Sequence, residues 1–146
     1  MRLACVFVVL ALAGFAGASE PGKDDGAVLK GDWAIVSVRI GDRFAPADMV
    51  KGLTTNFDGR GYTNKANEEI VEQGTYQLDT AGTPWTIDFA ITRGPEAGKR
   101  QLGVVAVEGR TLRLCVADAG STRRPTSLEP KTDSPATVVV MKRPAP

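Results

Sequence analysis

Glu68, Glu69 and Glu72, with Asp88 on the following strand-like segment, are the side chains best spaced for catalysis. Facing carboxylates can divide acid and base work, as in glycoside hydrolysis. Glu68 and Glu72 share a predicted strand face with Ile70 and Tyr76, which would turn Glu72 inward. The plainer reading is a set of solvated carboxylates beside a hairpin, since surface glutamate is ordinary. Cys115 is a second candidate, a thiol with Arg113 two residues away to favour the thiolate. The chain has no histidine, which removes the usual activating base, the His-containing triads and nearly all zinc sites. A free cysteine more often fills space as a small buried hydrophobe.

Other motifs fall short of a chemistry. Gly94-Pro95-Glu96-Ala97-Gly98-Lys99-Arg100 resembles a phosphate-binding loop. Its spacing is one residue short, Arg100 stands where a magnesium-binding hydroxyl belongs, and a strand follows instead of a helix. Asp24-Asp25 lacks the ligand spacing of a calcium loop. The irregular segment 118–136 carries Arg123 and Arg124, which as forked donors could recognise carboxylate or phosphate at a mouth loop. A proline-stiffened connector is the alternative. No catalytic residue, metal ligand or cofactor is assigned, and the chain is read as non-enzymatic.

The elements that must position these residues begin after an export signal. Arg2, the apolar run 3–15 and Ala16-Gly17-Ala18 have the three parts of a cleavable signal over 1–18. The expected location is therefore periplasmic or extracellular. A flexible leader is expected over 19–29, one domain over 30–143 and a tail over 144–146. The apolar run is too short to span a bilayer. After cleavage one cysteine is left, so no internal disulfide forms. Residues 19–92 carry seven basic and twelve acidic side chains, and 93–146 carry ten and five. That asymmetry suits either oriented docking on a charged partner or an uneven solvated surface. The chain as a whole carries a net charge of +1, and residues 19–146 alone balance at seventeen basic and seventeen acidic side chains. With no basic stripe interleaved with aromatics either, nucleic-acid binding is not expected.

Strand signals recur at 33–40, 53–58, 61–65, 68–78, 85–91, 100–107, 110–117 and 137–143, with turn residues between them. A short helix, suited to a lid, is predicted over 45–52, where a proline sits near the start and a glycine at the end. Trp85, Ile87, Phe89 and Ile91 alternate with polar or small residues, and so do Leu112, Leu114 and Val116. Such strands are half-buried. Eight of them without crossover helices hide their edges most simply by closing into an antiparallel up-and-down barrel. The first segment is ambiguous: Ala34, Val36, Val38 and Ile40 form its more apolar face, with Trp33 on the other, so either both faces are covered or a bulge switches them.

Leu29-Lys30-Gly31-Asp32-Trp33, Met49-Val50-Lys51-Gly52-Leu53, Gly74-Thr75-Tyr76-Gln77-Leu78-Asp79, Gly98-Lys99, Thr111-Leu112-Arg113-Leu114-Cys115, Arg124-Pro125-Thr126 and the segment 138–143 occur in that order. On these residues the domain resembles the lipocalin-like domain of uncharacterised exported proteins expanded in planctomycete bacteria. The resemblance implies an all-β, eight-stranded up-and-down barrel. The wider likeness to lipocalins, on Gly31-x-Trp33 and a terminal basic residue, implies that Trp33 closes the barrel floor. Arg143 or Lys142 would then pack across its ring as a cation–π contact.

Three functions follow as expectations. The first is a binder of a small apolar or amphipathic molecule, with Trp33, Tyr76, Trp85, Ile87, Phe89 and Leu112 as the cavity wall. The second is a filled barrel acting through its surface on an envelope protein partner, with Arg123 and Arg124 in contact. The third is an envelope hydrolase using Glu72 and Asp88. Interior volume separates the first two, because an enclosed cavity above roughly 300 Å³ favours a ligand and a much smaller one favours the filled module.

Overall fold

The computed structural model describes residues 25–144. Its strands are β1 (Gly31–Ile40), β2 (Arg43–Phe44), β3 (Leu53–Phe57), β4 (Gly61–Ala66), β5 (Glu69–Asp79), β6 (Trp85–Arg93), β7 (Arg100–Glu108), β8 (Thr111–Val116) and β9 (Thr137–Lys142). From β3 to β9 each strand pairs with the next in the chain, and β1 pairs with both β3 and β9. Every pairing is antiparallel. Eight strands thus close into an up-and-down barrel, as the strand spacing predicts. β2 adds a two-residue ribbon to the end of β1; two residues are too few to show a period, so it has no counterpart in the sequence reading. The helix α1 (Ala47–Val50) sits in the β1–β3 connection, shorter than predicted.

Turn chemistry fixes the hairpins. The Asp58 carboxylate accepts from the backbone N–H of Arg60 at 2.9 Å and of Gly61 at 2.6 Å, while Gly59 takes φ +103. Those two bonds hold the Asp58 carboxyl below its ordinary 3.8. Between β4 and β5 the turn falls on Asn67 and Glu68, both at positive φ. Glu68 is therefore a turn residue and not part of the strand. A register shift between Asn64 and Lys65 also separates Ile70 from the face of Glu72.

The β1 ambiguity is resolved by a bulge between Ile35 and Ser37. Trp33 and Ile35 belong to the interior core. Val36, on the nominally more apolar face, is 45% exposed. The leader does not run to residue 29 as expected. Asp25–Leu29 forms a 3-10 turn, and Leu29 is fully buried in the core. The predicted signal 1–18, the leader up to Asp24 and the last two residues of the tail lie outside the described residues. Among the described residues no helix is long and apolar enough to cross a membrane.

The barrel has two ends. The floor end carries Gly31, Phe57, Trp85 and Thr111; the mouth end carries Ile40, Ala66, Arg100 and Thr137. Segment 117–136 leaves the mouth but folds back along the outer wall. Its Leu128 and Ala136 pack on Val104, Cys115 and Val138, outward residues that would otherwise meet water. The segment is a strap on the wall rather than a loop over the mouth.

Candidate functional site

The floor is built around Trp33. Its indole Nε1 donates to the Leu29 carbonyl at 2.7 Å, and the Arg143 guanidinium lies 4.1 Å from the ring centroid. Arg143 also donates to the carbonyls of Lys30 at 2.8 Å and Val28 at 2.6 Å. Of the two basic residues offered by the resemblance, Arg143 takes the stack, and Lys142 is exposed. Gly31 makes room for it: φ is +111, and an added Cβ would meet Arg143 Nη1 at 2.8 Å. Gly31-x-Trp33 is therefore one device, in which the glycine admits the cation that covers the tryptophan.

Above the floor the interior is solid. Ile87, Leu112 and Val105 are fully buried. Phe57 and Tyr76 stack edge to face at 5.1 Å, and Tyr62 and Phe89 at 4.9 Å, a geometry that aromatic quadrupoles favour. The Tyr76 hydroxyl accepts from Gly59 N–H at 3.1 Å. Burial, partly offset by that bond, raises its phenol above the ordinary 10.0.

Toward the mouth the inward positions change character. β3 runs from Phe57 to Thr55, β4 from Tyr62 to Asn64, β5 from Tyr76 through Gly74 to Glu72, and β7 from Val105 through Gly103 to Gln101. These polar residues line a hollow of about 120 Å³, with Phe89, Leu114 and Val139 among its apolar walls. Tyr62 OH donates to Glu72 Oε1 at 3.0 Å, and Asn64 Nδ2 donates to the same oxygen at 3.3 Å. Thr55 Oγ1 donates to Asn64 Oδ1 at 2.7 Å. Gly74 allows this: an added Cβ would come within 2.9 Å of the Tyr62 ring. Burial and then the Glu72 charge raise the Tyr62 phenol far above its ordinary value, so it stays a donor.

Of the six residues expected to line a cavity, only Phe89 borders the hollow. Trp33, Tyr76, Ile87 and Leu112 are packed in the filled lower half, with Trp85 partly buried against them. The cause is size, since large side chains from facing strands meet across a narrow barrel. Thr55, Asn64 and Gln101, which do line it, are polar residues at inward positions, and binary patterning assigns such residues to the outside.

The remaining candidates are dispersed. Asp88 faces outward, paired with Arg124 at 2.7 Å and Arg100 at 3.3 Å, whereas Glu72 faces inward. The wall separates them, so the proposed hydrolytic pair is not brought together. Arg124 also donates to the carbonyls of Ile87 and Gly103. It is a structural latch for the strap, not a free anion fork. Arg123 is exposed on a recess of about 560 Å³ formed within the strap. Lys99 pairs with Glu96 at 2.7 Å in the β6–β7 turn, which leaves no phosphate cradle. Cys115 is buried beneath the strap. Burial raises its thiol above 9.0, opposed in part by the nearby Arg39 charge.

No family model, curated protein or solved structure matches the chain.

Proposed function

We propose that the chain is a lipocalin-like binding module that holds one compact amphipathic molecule in the mouth half of its barrel. The observation that carries this reading is the apolar-walled hollow with a hydrogen-bonded polar side at Glu72, Tyr62 and Asn64. Binding sites characteristically combine apolar walls with a few placed polar groups. At about 120 Å³ the hollow lies well below the roughly 300 Å³ set for a ligand cavity, so volume alone favours the filled module. The polar side of the hollow is what supports a binding role, and only for a compact molecule. A lipid or an extended apolar ligand is therefore too large, and a molecule of about benzene size fits. With the export signal read at 1–18, binding would take place in the periplasm or outside the cell.

Ligand-observed NMR with a mixture of small fragments tests it, using the protein and a Val139→Phe variant that fills the hollow. Fragments of up to about seven heavy atoms should bind the protein and be lost from the variant, and a lipid-sized dye should bind neither. Hits that survive Val139→Phe, or no hits at all, would overturn the reading.

A second reading, a module acting through its surface, is favoured by the strap recess. Arg123 and Lys131 line it, and no ion pair reaches either among the described residues. Cross-linking in cells should then capture a protein partner that Arg123→Ala loses. Capture unchanged by that substitution would remove the recess from the role.

A further inference from the structure

We infer that the molecule held in the mouth-side hollow is a small primary ammonium; this rests on the proposed binding role and adds the ligand's chemical class. Glu72 is the one charged side chain among the residues lining the hollow. Its Oε1 accepts from Tyr62 and Asn64, both neutral donors. Among the described residues no hydrogen bond or ion pair reaches Oε2. The carboxylate is thus oriented by its neighbours and not neutralised by them.

The hydrogen-bond inventory of the hollow is lopsided in charge. Tyr62 OH is engaged by Glu72, and Thr55 OH by Asn64. The Gln101 amide nitrogen donates out of the hollow, to the Ala117 carbonyl at 2.9 Å. What remains is a second N–H on each of the Asn64 and Gln101 amides, against the acceptors Glu72 Oε2, the Gln101 amide oxygen and the Thr55 hydroxyl lone pairs, and of these only Glu72 carries a charge. An ammonium brings three N–H donors and a positive charge, which complement those acceptors and the carboxylate. A carboxylate or phosphate ligand would face a like charge.

Among the described residues no ion pair joins a protein cation to Glu72. The arginines at the mouth end point elsewhere: Arg39 to Glu129, Arg93 to Gln73 and Arg100 to Asp88. The apolar walls suit a short hydrocarbon tail, and the Phe57, Tyr62 and Phe89 rings line the same space. Aromatic rings add a favourable quadrupole to a cation in contact with them. With room for about a benzene-sized molecule, n-butylammonium is the natural probe.

The test is calorimetric and NMR titration of the purified protein with n-butylammonium, 1-butanol and butyrate, repeated on Glu72→Gln. Butylammonium should shift the Phe89, Leu114 and Val139 resonances and bind at least about tenfold more tightly than 1-butanol, from the charge-assisted bond. Butyrate should not bind, and Glu72→Gln should abolish the preference for the cation. If 1-butanol binds as tightly as butylammonium, the charge inference fails while the compact-ligand reading stands. If no probe enters the hollow, both fail. The comparison among probes on the unmodified protein decides the matter even where Glu72→Gln does not fold.

Discussion

Replacing Arg143 by alanine should destabilise the barrel by about 2–3 kcal/mol, although the side chain is only half-buried. Its stack on Trp33, 4.1 Å from the ring centroid, is worth about 0.5–2 kcal/mol. Each of its two bonds to the Val28 and Lys30 carbonyls adds on the order of 1 kcal/mol, reduced where water can replace the donor. For a domain of this length the total corresponds to a fall in Tm of roughly 8–15 °C. Arg143→Lys keeps a cation but loses the planar guanidinium that stacks on the ring while its two nitrogens reach separate carbonyls, and should recover about half the loss. Gly31→Ala should also destabilise, through backbone strain of about 1–3 kcal/mol at φ +111 and through the contact with Arg143 Nη1. In the Arg143→Ala background the contact vanishes while the strain persists. The double mutant should therefore be more stable than the two single losses predict, by at least about 0.5 kcal/mol. Urea unfolding followed by tryptophan fluorescence measures all four proteins, since Trp33 and Trp85 are the two reporters. Additive losses, or an Arg143→Ala protein within about 0.5 kcal/mol of the parent, would refute the reasoning.

The strap and the alkaline limb give further expectations. Arg124→Ala removes the latch to Asp88, Ile87 and Gly103 and should loosen the strap over Cys115. Thiol labelling under native conditions should then accelerate at least about tenfold, the equivalent of about 1.4 kcal/mol of local opening; unchanged labelling would show that Leu128 and Ala136 suffice to hold it. Glu129→Ala should act in the same direction, because Glu129 joins Arg39 on β1 to Arg113 on β8 across β9. The thiol of Cys115 and the phenols of Tyr62 and Tyr76 all have raised values in the fold. Unfolding frees them to ionise at their ordinary 9.0 and 10.0, so the unfolded state loses protons first and stability falls as pH rises above about 9. Below that pH their contribution is fully present. Urea midpoints at pH 8, 9.5 and 10.5 should decline, and Tyr62→Phe should flatten the decline; a flat profile in the parent would contradict it.

The closed barrel was legible because its outward–inward alternation is clean where it matters. On β6 and β8 the apolar residues recur every second position, and they are the residues found inside. β1 misleads for a physical reason: the bulge at Val36 exchanges the faces, and an inserted residue leaves no mark on composition. Cys115 misleads differently. It faces outward on its strand yet is buried, because burial there is supplied by Leu128 and Ala136 from a segment with no period of its own. The cation at the floor was legible only through the resemblance; its partner Gly31 explains the motif once φ and the Arg143 contact are known.

Apart from the inward turn of Glu72, which was expected, the hollow escaped the sequence reading for the same reason that it is a candidate site. An inward polar residue is indistinguishable from an outward one until the register is known, and a one-position slip reverses the assignment. Thr55, Asn64, Glu72 and Gln101 each occupy an inward position where the period calls for an apolar side chain, and all four line one space. A single exception would be tolerable as a satisfied core polar group. Four exceptions on four strands, meeting opposite a floor that keeps the rule strictly, concentrate the cost of polar burial in one half of the barrel. Local rules are typically broken at functional sites, and here the broken positions leave the Glu72 carboxylate met only by neutral donors. The Glu72→Gln protein separates the two reasons for such a pattern. If Glu72 serves only the fold, the substitution should alter stability and leave the rank order of bound probes unchanged; if it serves a ligand, the preference for a cation should disappear while the barrel stays closed.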